Sequence, residues 1–143
     1  MRLQDEDIDI LRGSFWHVSR AGQETAALFY DLLFEIAPQT RSLFPKDLSD
    51  QGTKLMSMLG SIVARLNDHD VLLPMVSDLG RRHVAYGAQP AHYEAVGAAL
   101  MAALARTLGD RFTPEVAAAW QNAFDALART MIEAAWPPSD RPS

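Results

Sequence analysis

Leu79-Gly80-Arg81-Arg82-His83-Val84-Ala85-Tyr86-Gly87 ends an apolar-periodic stretch and carries a histidine one helical turn after Leu79. Met75, Val76 and Leu79 recur at spacings of three and four, the signature of one buried helix face. Gly87 is the residue type that stops a helix. On its own, His83 reads as a surface histidine on an arginine-rich turn. Its company changes that reading. Tyr30, Gln51 and Phe44, the last within Arg41-Ser42-Leu43-Phe44-Pro45, stand upstream at separations that place an aromatic ring, a phenol and an amide on three further helices.

Working outward, the pattern predicts helices nearly throughout, about seven in all. The first runs from Asp5 to Arg20, with Ile8, Leu11, Phe15 and Val18 inward, and Ala21-Gly22 breaks it. The second runs from Gln23 to Ile36, with Leu28, Phe29, Leu32, Leu33 and Ile36 inward. Pro38 opens a short helix that ends near Phe44. A helix from Leu48 to Leu66 follows, with Leu55, Met58, Leu59 and Ile62 on its stripe. Asn67-Asp68-His69-Asp70 is a polar connector, and Pro74 sits near the start of the helix that carries His83. Pro90 opens the next helix, with Tyr93, Val96, Leu100 and Leu104 inward, and Gly109-Asp110 ends it. Thr113-Pro114-Glu115 combines a capping hydroxyl, a first-turn proline and a dipole-favoured acid. Val116, Trp120, Phe124, Leu127 and Met131 then define a long final helix. No alternating six-residue run or Asn-Gly hairpin appears, so the class is all-α.

The chain has 143 residues, the size of one domain with a single core. We expect that domain to span 1–143, with the packed part at about 5–135 and a frayed proline-rich tail at 137–143. The absence of cysteine removes disulfides, Cys-ligated zinc and iron–sulfur clusters. The formal charge is −5 and the cations are scattered, which argues against nucleic acid or an anionic membrane as partner. The uncharged run Ala95–Ala105 is far too short to span a bilayer, and Met-Arg-Leu-Gln-Asp-Glu-Asp at the start has no apolar signal core. The expected location is the cytoplasm.

Several stretches together resemble the globin family. Leu28-Phe29-Tyr30-Asp31-Leu32-Leu33-Phe34, then Pro38, then Phe44 six residues later, looks like the second and third helices of globins. Asp50-Gln51-Gly52-Thr53-Lys54-Leu55-Met56 looks like their distal helix, with Gln51 at the distal position and Leu55 at the apolar gate. Gly52 falls where globins cross two helices closely, with Ala26 as the small partner. Leu79-Gly80-Arg81-Arg82-His83, Tyr86-Gly87, His92-Tyr93, Val96-Gly97, Gly109-Asp110 and Trp120 resemble the proximal half of single-domain bacterial globins, flavohaemoglobins and neuroglobin. The resemblance covers about residues 5 to 135.

The resemblance implies a globin fold around a haem, with His83 as the iron ligand. Its second ring nitrogen would donate to a backbone carbonyl one turn back, at Leu79. Phe44, Leu48, Leu55, Val96, Leu100 and Phe124 would cover the flat macrocycle, and Lys54 and Arg82 would meet its propionates. Tyr30 and Gln51 would donate hydrogen bonds to a gas ligand beside Leu55. The cofactor would be haem b, because there is no Cys-x-x-Cys-His for covalent attachment. In flavohaemoglobins a tyrosine like Tyr93 pairs with a glutamate on the last helix. Here the matching position is Ala135, and Glu133 stands two residues away.

The implied function is reversible, high-affinity binding of dioxygen and of nitric oxide and carbon monoxide. Nitric oxide dioxygenation with an external reductase, gas or redox sensing, and a cofactor-free helical scaffold are the alternatives. His17, His69 and His92 are expected to be solvated, and the methionines to serve packing, with Met58 nearest the distal face.

Overall fold

The computed structural model describes residues 3–137, and among them every regular element is helical. Helix α1 spans Asp5–Arg20, α2 Gly22–Ile36, α3 Ser49–Ala64, α4 His69–Ala85, α5 His92–Leu108 and α6 Pro114–Ala135. Two 3-10 segments, Pro38–Leu43 and Gly109–Arg111, join α2 to α3 and α5 to α6. The expected short helix after Pro38 therefore takes the tighter 3-10 form. Of the tail expected to fray, Pro137 carries no regular structure, and 138–143 lie outside the described residues.

The local chemistry explains most boundaries. Asp5, Glu6 and Asp7 fill the first turn of α1, and His17 and Arg20 its last, each complementing the helix dipole. Ile8, Leu11, Ser14 and Val18 form its buried stripe. At the head of α6 the Thr113 hydroxyl accepts the Val116 N–H at 3.3 Å, and Pro114 occupies the first turn. Gly87, with φ of 95°, takes the left-handed conformation that ends α4.

Two boundaries depart from the sequence pattern. Helix α4 starts at His69, not at Pro74, which sits inside it. A proline inside a helix costs about 3 kcal/mol. Burial of Leu72 and Val76, both fully enclosed, stabilises by roughly 1.5–3 kcal/mol each and outweighs it. Helix α5 begins at His92, and Pro90 lies in the preceding turn, its carbonyl accepting the Tyr93 N–H at 3.2 Å. Ile36, expected inward, is 47% exposed. It is the last residue of α2, and the buried Ala37 takes the inward place as the chain turns.

The core lies where α4 packs along α6 and α2 along α5, with α1 laid across α3, α5 and α6. Helices approach closely where glycines remove side chains. A Cβ on Gly52 would stand 3.1 Å from the Ala26 Cβ, so this crossing of α3 and α2 is the one the sequence predicts. A Cβ on Gly80 would lie 2.5 Å from the Met131 carbonyl oxygen, so α4 and α6 touch backbone to backbone. Two polar ties cross the core. Trp120 Nε1 donates to Ser14 Oγ at 2.8 Å, and that hydroxyl donates to the Ile10 carbonyl at 2.7 Å. Thr25 and Thr107 hydroxyls meet at 2.9 Å and join α2 to α5.

Candidate functional site

Between these helices lies a cavity of about 540 Å³. That is within the range of small-molecule and cofactor pockets. Helix α3 contributes Gln51, Lys54, Leu55, Met58, Leu59 and Ile62 to its wall. Helix α4 contributes Leu79, Arg82 and His83, and α5 contributes His92, Tyr93, Val96 and Leu100. Phe124, Leu127, Ala128 and Met131 of α6 close another side, and Phe29, Tyr30, Leu33 and Phe44 complete the enclosure. The lining is mostly apolar and holds no carboxylate.

His83 sits in the last full turn of α4, half-buried, with Nδ1 2.8 Å from the Leu79 carbonyl oxygen. A carbonyl only accepts, so Nδ1 carries the proton and Nε2 keeps its lone pair. No hydrogen-bond partner for Nε2 occurs among the described residues. Also among them, no cluster of three His, Asp or Glu side chains can hold a metal ion directly. A metal at His83 would therefore need its other donors from a cofactor.

Tyr30 is buried in α2 and packs edge-on against Phe44, ring centroids 5.4 Å apart. Its hydroxyl donates to the Gln51 backbone carbonyl at 3.4 Å, the long limit of a hydrogen bond. Burial pushes its pKa up to about 12, so the phenol stays a protonated donor through the neutral range. The Gln51 side chain lines the same cavity and is half-buried. Tyr30 and Gln51 thus meet through the glutamine's backbone.

The structure brings most of the residues singled out by sequence to this one cavity: Tyr30, Phe44, Gln51, Lys54, Leu55, Arg82, His83, Tyr93, Val96, Leu100 and Phe124. Leu48 is not part of the lining; it precedes α3 and packs against the core cluster instead. Lys54 is exposed at the rim. Arg82 turns back along its own helix, Nε donating to Asp78 Oδ2 at 2.9 Å and Nη2 to the same oxygen.

Tyr93 is buried, and among the described residues its hydroxyl finds no partner. Burial raises its pKa as well. Glu133, two residues from the position expected to pair with Tyr93, is exposed.

His92, expected to be solvated, instead lines the cavity half-buried, and its Nδ1 accepts the Gln89 N–H at 3.1 Å. Ile62, Leu79, Leu127 and Met131, read from the sequence as buried helix faces, belong to the core cluster or pack against it and line the cavity as well. Helical period marks a buried face but does not separate core-facing from cavity-facing positions.

The sequence profile of the globin family matches residues 27–131. The chain belongs to the globin family. An uncharacterized globin-like protein of Aquifex aeolicus is 30% identical over 130 residues, covering 91% of this globin and 92% of that protein. A flavohemoprotein of Bacillus subtilis is 27% identical over 133 residues, covering 91% of this globin and 33% of that protein. This globin thus spans about a third of the flavohemoprotein's length. In fold it matches a bacterial globin from Campylobacter jejuni with a TM-score of 0.83, 20% identity and coverage of 96% and 100% of the two chains. A flavohemoglobin from Malassezia yamatoensis, solved with bound FAD and heme, gives a TM-score of 0.78 at 23% identity, covering 94% of this globin and 37% of that chain.

A haem is the cofactor of this family, and the residues present fit one. The cavity has apolar walls, an imidazole lone pair without a protein partner, and a buried phenol at Tyr93 whose hydroxyl is orphaned. Among the described residues no helix is long and apolar enough to cross a membrane.

Proposed function

We propose that this globin binds haem b through His83 and reversibly takes up dioxygen with high affinity in the cytoplasm, with nitric oxide and carbon monoxide as competing ligands. The observation that carries the reading is His83 itself. Its Nδ1 is pinned to the Leu79 carbonyl at 2.8 Å, and its other nitrogen is left for a metal in a cavity that Tyr30 and Gln51 also line.

A ferrous haem supplies, when bound, an open iron position for a diatomic ligand. The Leu79 carbonyl fixes the His83 tautomer and ring orientation and raises the basicity of the ligating nitrogen. Phe44, Leu55, Leu100 and Phe124 exclude water, which strengthens every polar interaction inside. The Tyr30 hydroxyl holds its proton in the cavity. Its 3.4 Å bond to Gln51 is weak enough to be exchanged for a ligand acceptor carrying partial negative charge. The Gln51 amide is the second donor. A hydrogen bond of that type is worth roughly 1.5–3 kcal/mol, or about ten- to a hundredfold in affinity.

Optical spectroscopy of the haem-reconstituted chain tests the reading. The expected result is a five-coordinate ferrous spectrum that converts to a long-lived oxygenated form. A chain that takes up no haem refutes it, and a six-coordinate ferrous spectrum without added ligand refutes the open-pocket part of it. The flavohemoprotein relatives favour a second reading, nitric oxide dioxygenation with electrons from a reductase. Catalytic nitric oxide consumption with a reducing system, rather than stoichiometric consumption, would select that reading.

A further inference from the structure

We propose that His92 is a carboxylate anchor of the cavity, donating from Nε2–H to a propionate of the bound haem. The inference rests on the haem reading above and adds a residue to it.

The backbone sets the chemistry of this imidazole. The Gln89 N–H donates to His92 Nδ1 at 3.1 Å, so Nδ1 carries a lone pair and the proton sits on Nε2. His92 is thus a neutral donor held in one tautomer. It is the first residue of α5, half-buried, in the wall of the cavity. That wall offers it no Asp or Glu acceptor. With Nδ1 taken by the Gln89 N–H, the Nε2–H is the donor this wall residue has to offer an acceptor on whatever fills the space.

The neighbouring cation does not serve this side as well. Arg82 directs Nε and Nη2 at Asp78 on its own helix. Lys54 stands on α3, and its exposed ammonium serves the rim from there. A carboxylate entering an apolar cavity needs hydrogen bonds at its polar edge, because a buried unpaired charge is strongly disfavoured. His92 and Lys54 supply donors from two different helices, which matches a group that carries two carboxylates.

Release of two porphyrins to an apo-haem acceptor tests the anchor: haem b, and its dimethyl ester, in which both carboxylates are blocked. The wild type should hold haem b more tightly than the ester. His92→Ala should release haem b about tenfold faster, the scale of one charge-assisted hydrogen bond, and release the ester at the wild-type rate. His92→Gln, which keeps a donor of similar reach, should restore most of the haem b retention. Equal acceleration for both porphyrins would overturn the anchor in favour of simple packing. No acceleration for either would overturn it in favour of a histidine that makes no contact. A wild-type chain that binds neither porphyrin would overturn the haem reading and the anchor with it, an outcome distinct from the other two.

Discussion

Adding one methyl group at Gly80 tests how His83 is positioned. A Cβ there would lie 2.5 Å from the Met131 carbonyl oxygen, 2.7 Å from its Cα and 2.9 Å from its carbonyl carbon. All three are backbone atoms of α6, so no side-chain rotation relieves the contact. Relief to an ordinary separation requires α4 and α6 to part by roughly 1 Å along their most extensive interface. Overpacking of this kind costs about 1–3 kcal/mol, and the rigidity of two helical backbones puts Gly80→Ala near the upper end. Alanine's better helix propensity returns about 1 kcal/mol. The net loss is roughly 2 kcal/mol, a fall in Tm of several degrees for a chain of this size. Gly13→Ala is the matched control: Gly13 is also helical, and nothing lies within 4 Å of its added Cβ. It should stabilise by about 0.5–1 kcal/mol. Because His83 stands one turn beyond Gly80, displaced α4 should also release haem faster, whereas Gly13→Ala should not. Thermal unfolding of the three chains, followed by haem release, reads both effects. A Gly80→Ala chain as stable as Gly13→Ala would refute the backbone contact and the positioning built on it.

Four further outcomes are expected. Tyr30→Phe should raise the dioxygen off-rate about ten- to a hundredfold in stopped flow, and an unchanged rate would remove Tyr30 from the ligand site. Ser14→Ala leaves the buried Trp120 Nε1 unpaired and should cost about 1–3 kcal/mol by denaturant titration, and a neutral substitution would show that this bond is not made. Thr113→Ala removes the cap of α6 and should cost about 1 kcal/mol in the same measurement. Tyr30 titrates near 10 when unfolded and at about 12 when folded, so its contribution is intact below pH 10 and is lost as pH rises toward 12. The wild type should therefore lose stability more steeply than Tyr30→Phe over that alkaline range, and parallel melting curves would contradict the burial assigned to this phenol.

Much of the fold was legible because helical period and capping chemistry are local. Thr113-Pro114-Glu115 starts α6 through its own side chains, and Gly87 stops α4 through its own φ. Misread boundaries had a common cause. Pro74 looks like a helix start, yet burial of Leu72 and Val76 extends α4 back past it. Ile36 has the period of a core residue, but the helix ends there and about half of the residue stays exposed. At the site, the type and order of Tyr30, Phe44, Gln51 and His83 pointed to one pocket. The orientation of Arg82 toward Asp78 did not appear in the pattern, nor did the place of Leu48 outside the lining or of His92 within it.

By itself, the sequence determined the helical class, the positions of most helices, the close crossing at Gly52 and the imidazole available for a metal. These follow from side-chain size, spacing and capping, which act over one or two turns. Only the tertiary structure decided which buried positions face a cavity and which face the core. It also decided that Tyr30 reaches the Gln51 carbonyl, and that Tyr93 is left without a partner. Those features depend on how far apart five packed helices sit and how each is rotated. Both are fixed by contacts between residues tens of positions apart, such as Gly80 against Met131, whose energies no local period encodes.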